Sequence, residues 1–195
     1  MDVVTALLVG VPAQVAVFAL VPLAWWLQAG RPGGSFWRWL GFRRPSDGAD
    51  QVVRVALVAA GLGFFVGAML AQPGWTASAQ GFVLVFVVAV TAVLQHALSE
   101  ELFFRGFLLR CLADARRVGP ALGNVLQASV CGLLKMASHW ILVNRGLAGC
   151  LAVLALGAGA ALLAGWVRLR TGSLLPGWAA HGAGLLVAGL IMAFR

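Results

Sequence analysis

Two adjacent glutamates, Glu100 and Glu101, close an apolar run from Gly81 to Leu98 that only Thr91, Gln95 and His96 interrupt. Asp and Glu number six in the whole chain, so a third of its acids lie at this one point. An ionised carboxylate in apolar surroundings is costly unless it is paired or meets water, which makes it a candidate functional group. On a helix, Glu101 and Arg105 share a face, with the acid N-terminal to the base, the better order for pairing. Glu100 then points about 100° away from Glu101 and is free to accept a proton.

Three further polar groups interrupt apolar sequence: Lys135, His139 and His181. His96, one turn before Glu100, is a lesser candidate and reads as a polar contact between helices. The stretch Arg116-Arg117-Val118-Gly119-Pro120 reads as a turn. Counting about 18 residues back from it reaches Glu100 and about 21 forward reaches His139, so an antiparallel helix pair sets both at similar depth. A carboxylate and an imidazole meeting there can hold and deprotonate a water. His181 follows Thr171-Gly-Ser-Leu-Leu-Pro-Gly177, where breakers and a Ser173 cap signal a helix start. An imidazole near that helix N-terminus could donate to a developing oxyanion. Straight-rod arithmetic sets His139 and His181 on the order of 15–20 Å apart in depth, a conflict that vanishes only if helices are short or tilted, or if 171–177 dips inward.

The elements that must position these groups are long and apolar. The chain has 195 residues, 62% of them hydrophobic, with mean hydropathy +0.95. That exceeds what a soluble core needs and points to one all-α, polytopic transmembrane bundle. Continuous apolar runs rather than alternating ten-residue segments exclude a membrane barrel. Six runs have spanning length: 3–29, 51–71, 80–98, 121–143, 147–169 and 174–194, with more crossings if 99–120 forms its own hairpin. The whole of 1–195 reads as a single integral membrane domain. Asp2, in place of a basic n-region, and the length of the first run argue for a retained span over a cleaved signal.

The net charge of +8 would suit nucleic acid, but the basic residues sit at the ends of apolar runs, as topology signals do. They alternate by link: Arg31, Arg38, Arg43 and Arg44 in the first, none in the second, and Arg110, Arg116 and Arg117 in the third. Arg145 stands in the fourth, and Arg168 and Arg170 in the fifth. The positive-inside rule then sets the odd links in the cytoplasm. Within the first link, Phe36, Trp37, Arg38, Trp39 and Arg43 mix aromatic and basic groups as an interfacial segment does. Cys111, Cys131 and Cys150 lack metal-type spacing and read as packing residues. Gly63 and Gly67, in GxxxG spacing, and Gly157, Gly159 and Gly165 mark close helix contacts.

With these residues in place, about 95–190 resembles the CAAX-protease and bacteriocin-processing family of intramembrane glutamic endopeptidases. Its EExxxR motif is met by Glu100, Glu101 and Arg105 within EELFFRG. Its FxxxH motif is met only at His139, because Lys135 stands where Phe is expected. Its HxxxN motif is met at His181, within GSLLPGWAAH, with Leu185 in place of Asn. The resemblance implies a peptidase without a metal cofactor. Glu100 would activate water with His139, Arg105 would hold Glu101, and His181 would stabilise the oxyanion, a task shared in the family with the missing Asn. Lys135 is then a candidate modulator that supplies the lost electrostatic help or pairs with Glu101.

The implied substrate is a membrane-associated peptide or protein, cleaved for maturation, leader removal or loss of a C-terminal sorting tail, at the lipid bilayer and without nucleic acid. The Arg-, Ala-, Gly- and Val-rich composition points to a bacterial plasma membrane and away from prenylated substrates. Two alternatives stand beside this reading. One is a catalytically impaired relative acting as an immunity protein or scaffold. The other is a zinc hydrolase ligated by Glu100, His139 and His181, since one carboxylate and two imidazoles suit such a site. No oligomeric state is assigned.

Overall fold

The computed structural model describes residues 6–46, 50–71, 81–143 and 146–194. Among these residues the chain is all helix, with no strand. Helix α1 runs Leu7–Gln28, the short α2 Phe36–Leu40, α3 Gln51–Ala71 and α4 Gly81–Asp114. Helices α5, Gly119–Val143, α6, Gly146–Thr171, and α7, Leu175–Ala193, complete the bundle. The second link, Asp2 and Arg145 lie outside the described residues.

Five helices, α1, α3, α4, α6 and α7, are long and apolar enough to cross a bilayer. The expected sixth span corresponds to the 25-residue α5, whose length suffices to cross. Its polar side chains each have a use. Asn124 and Gln127 donate to the Leu162 and Ala161 carbonyls of α6, and Ser129 and Ser138 donate to their own helix. Lys135 and His139 face a cavity.

The larger departure is α4. The charged stretch beginning at Ser99 reads as a link in sequence, yet the helix continues unbroken to Asp114, with 34 residues in all. At ~1.5 Å per residue that is about 50 Å, well beyond a hydrocarbon core. Neither a link nor a hairpin fills 99–114. Two stretches of α4, Thr91–Leu98 and Glu101–Leu108, are π-helical. Hydroxyls that compete for the ladder accompany them: Thr91 donates to the Val87 and Val88 carbonyls, and Ser99 to Gln95. The Trp178 indole of α7 donates to the Val93 carbonyl within the first stretch. Such π segments recur at functional sites.

Helix α6 packs antiparallel to α5 and to α3, and α7 packs antiparallel to α4. The small residues do the expected work at most positions. Gly63 lies on Ala160, Gly67 on Leu156, Gly157 on Lys135 and Gly165 on Asn124, whereas Gly159 faces open space. Gly184 of α7 lies so close to the Gly61 carbonyl of α3 that a Cβ there would collide with backbone. Gly184→Ala is therefore expected to lower stability by about 1–3 kcal/mol, as overpacking does. Thermal unfolding in detergent reads it, and an unchanged Tm would contradict the contact.

The first link is more than an interfacial strip. Trp39 and Leu40 are buried against Trp26, Leu102 and Leu174. Helix α2 ends at Gly41, φ 107°, where a Cβ would also meet the Arg168 guanidinium. Arg110 donates to the Trp39 carbonyl and Arg168 to that of Leu40. The Leu174 N–H donates to the Gly41 carbonyl, and Arg43 to that of Gly172. These bonds gather the arginines of three odd-numbered links at one end of the bundle and cover the turn between α6 and α7.

Candidate active site

Glu101 and Arg105 form the pair expected from their spacing, 3.3 Å apart and both buried. The Arg105 guanidinium also lies over the faces of Phe64 and Phe104, 5.6 and 6.0 Å from their centroids. His181 Nδ1 is 3.1 Å from Glu101 Oε1, and its ring stacks on Phe64 at 3.6 Å between centroids. Glu101 is thus enclosed by a guanidinium, an imidazole and the Cβ-free surface of Gly177.

Glu100 faces another way. Its Oε1 accepts a hydrogen bond from Lys135 Nζ at 2.7 Å, and its Oε2 lies 3.7 Å from His181 Nε2 without a hydrogen-bond partner. Of the two roles expected for Lys135, the pair with Glu101 is not formed; the ammonium pairs with Glu100 instead. Glu100 and Lys135 both line a cavity of about 580 Å³ between α1, α3, α4, α5, α6 and α7. His139, 3% exposed, lines the same cavity, and neither of its ring nitrogens has a partner among the described residues. His96 and Leu185 line it as well, whereas His181, Glu101 and Arg105 do not.

The register of the helices accounts for the depth conflict. Gly63 of α3 meets Ala160 while Gly61 meets Ala180, so His181 is nearly level with Ala160. Lys135 lies against Gly157 on the same helix, and His139 is four residues further along α5. The two histidines are therefore separated along the bundle by on the order of 10 Å, less than straight rods gave. The turn after α6 is tucked beneath 41–46, with Thr171, Ser173 and Leu174 buried. The N-cap is Leu174, with no side-chain cap bond, and not Ser173 as expected; Ser173, one residue earlier, accepts the Leu175 N–H. Helix α7 thus starts low enough for His181 to reach both glutamates.

Among the described residues, no three His, Cys, Asp or Glu side chains are close enough together to hold one metal ion. Glu100, His139 and His181 do not fit a zinc site as they stand, because Glu100 is engaged with Lys135 and His139 lies apart from His181. The three cysteines are free, with Cys131 and Cys150 buried, in keeping with packing.

Sequence reasoning missed two groups. Phe64, under both His181 and Arg105, is one apolar residue in an apolar span and carries no signal beyond its place between Gly63 and Gly67. Gln14 and Gln95 bridge α1 to α4 at 3.0 Å, and Gln14 lines the cavity. Each is polar in an apolar run, which was the available signal.

Bilayer-length helices around a mostly apolar cavity, with one carboxylate, two imidazoles and an ammonium at its wall, make this an integral membrane protein with a buried polar site. A family model described as type II CAAX prenyl endopeptidase Rce1-like matches residues 81–187, more than half of the chain. The chain belongs to this Rce1-like family of CAAX-type membrane proteases, whose setting is a lipid bilayer and whose substrates are peptides. Comparisons with curated proteins and with solved structures gave no match.

Proposed function

We propose that the chain is an intramembrane endopeptidase of glutamate type, hydrolysing a bond in a membrane-associated peptide or protein. Glu100 acts as general base on a water held between it and His139, and returns the proton to the leaving amine. One observation carries this reading: Glu100 Oε2 and both nitrogens of His139 are buried polar atoms without hydrogen-bond partners among the described residues, on one cavity. Buried polar groups in a native structure are nearly always satisfied, so orphans that share a cavity mark where water or substrate binds. Glu101, Arg105 and His181 form the layer behind, with the His181 ring 3.1 Å from Glu101 and 3.7 Å from Glu100. Removal of a leader or of a sorting tail, in a bacterial plasma membrane, is the kind of task such a site would serve.

His139→Phe separates this role from a structural one. The imidazole has no hydrogen bond to any described residue to lose, so the variant is expected to fold and unfold as wild type does. Its cleavage rate is expected to fall about 10²-fold or more, the ordinary contribution of an acid–base partner. A folded variant of wild-type rate would remove His139 from the mechanism. The Lys135–Glu100 pair is the observation that favours the second reading, a non-catalytic scaffold or immunity protein whose carboxylate is held idle. Full activity loss in folded His139→Phe counts against it.

A further inference from the structure

We propose that Lys135 is the cation that stabilises the oxyanion in this chain, a role that rests on the peptidase reading above. The imidazole expected to do so, His181, is fully buried, faces Glu101 through Nδ1 and does not line the cavity. Leu185 does line the cavity and has nothing to donate. Of the other polar groups on its wall, the Ser138 hydroxyl is bonded to the Leu134 carbonyl, His139 is assigned to the attacking water, and Gln14, whose amide oxygen accepts from Gln95, and His96 bring no fixed positive charge. Lys135 is the one lysine or arginine on the wall among the described residues, and its ammonium has three N–H groups, one of them on Glu100. Its stem runs over Gly157, where a Cβ would approach Lys135 Cδ to 3.0 Å, so the glycine leaves the channel in which the stem lies.

The position suits the movement of charge. Glu100 takes a proton from water, the resulting hydroxide oxygen bonds to the carbonyl carbon, and the π electrons move to the carbonyl oxygen. Glu100 is then neutral and the negative charge resides on the substrate. When the intermediate collapses, the C–N bond breaks and the proton on Glu100 passes to the leaving nitrogen. An ammonium beside Glu100 compensates the charge before and after it moves, so neither state leaves a cation alone in an apolar cavity. Preorganised donors of this kind are among the largest single contributions to catalysis.

The test uses the reconstituted full chain. The probe is a fluorogenic peptide copied from the membrane segment that the wild-type chain cleaves fastest in a pool of host membrane proteins. Lys135→Met is expected to lower kcat by about 10²–10³, as loss of an oxyanion donor does, with KM within roughly threefold. Adding Leu185→Asn to Lys135→Met supplies a neutral donor from another wall and is expected to recover kcat by roughly tenfold. Lys135→Met that cleaves as fast as wild type, or faster, overturns the proposal, as does a defect confined to KM. Should Lys135→Met not fold, Lys135→Gln is measured instead: a kcat at least roughly tenfold down supports the proposal, and a wild-type kcat overturns it. Glu100→Gln keeps the two ideas apart. If it cleaves normally the peptidase mechanism falls, whereas an inactive Glu100→Gln beside a fully active Lys135→Met removes Lys135 alone.

Discussion

Glu100→Gln is expected to lower the cleavage rate by about 10²–10⁴-fold while the chain still folds. The amide keeps the shape of the side chain, and its oxygen can still accept the Lys135 N–H that Glu100 Oε1 accepts at 2.7 Å. What it loses is the capacity to take a proton from water. The cavity leaves the side chains of Lys135 and Glu100 26% and 17% exposed, so the ammonium left without a counter-ion can be hydrated. Initial rates per amount of folded protein, judged by size exclusion in detergent, give the readout. A rate within roughly threefold of wild type would mean that Glu100 is no general base.

Arg105→Met is expected to act on the fold. Arg105 and Glu101 are 0% and 1% exposed, and the guanidinium is the only lysine or arginine within ion-pair reach of Glu101 among the described residues. Removing one partner of a buried pair leaves an uncompensated charge and typically costs about 3–5 kcal/mol. That is a large share of a stability of about 5–15 kcal/mol, so folded yield and Tm should both drop sharply. Replacing both charges, Glu101→Gln with Arg105→Met, is expected to restore most of the stability, because no unpaired charge remains. Thermal unfolding of the three proteins checks the order. A single variant as stable as wild type would show that Glu101 is adequately held by His181 alone.

The pairing of Glu101 with Arg105 was legible because four-residue spacing survives the local change of helix type. The phase of Glu100 was legible too, since its side chain does face away from that pair and into the cavity. The partner of Lys135 was not, because residues 35 apart in the chain meet through a packing of α4 on α5 that no local rule describes. The extent of α4 was obscured by its own chemistry. Glutamates and arginines at 99–110 look like a link at a membrane face, whereas in the fold Glu101 and Arg105 are buried against each other, His181 and Phe64, and Arg110 donates to the Trp39 carbonyl. His181 offered the opposite lesson. Its helix start was correctly signalled by Thr171–Gly177, but its depth depended on 41–46 covering that turn, in part through the backbone hydrogen bonds of Ser46 to Thr171 and Leu174 to Gly41, which leave no trace in side-chain type. The two ionisable side chains that interrupt the apolar run of α5, Lys135 and His139, both line the cavity.

The central claim is that this chain cuts peptide bonds in the membrane with Glu100. The most direct measurement is to reconstitute the wild-type chain and Glu100→Gln in liposomes with membrane proteins from a deletion strain, and to identify new N-termini by mass spectrometry. New termini from membrane-associated segments that appear with time under the wild-type chain, and are missing under Glu100→Gln, are the predicted result. Identical sets of termini from the two proteins would contradict the account.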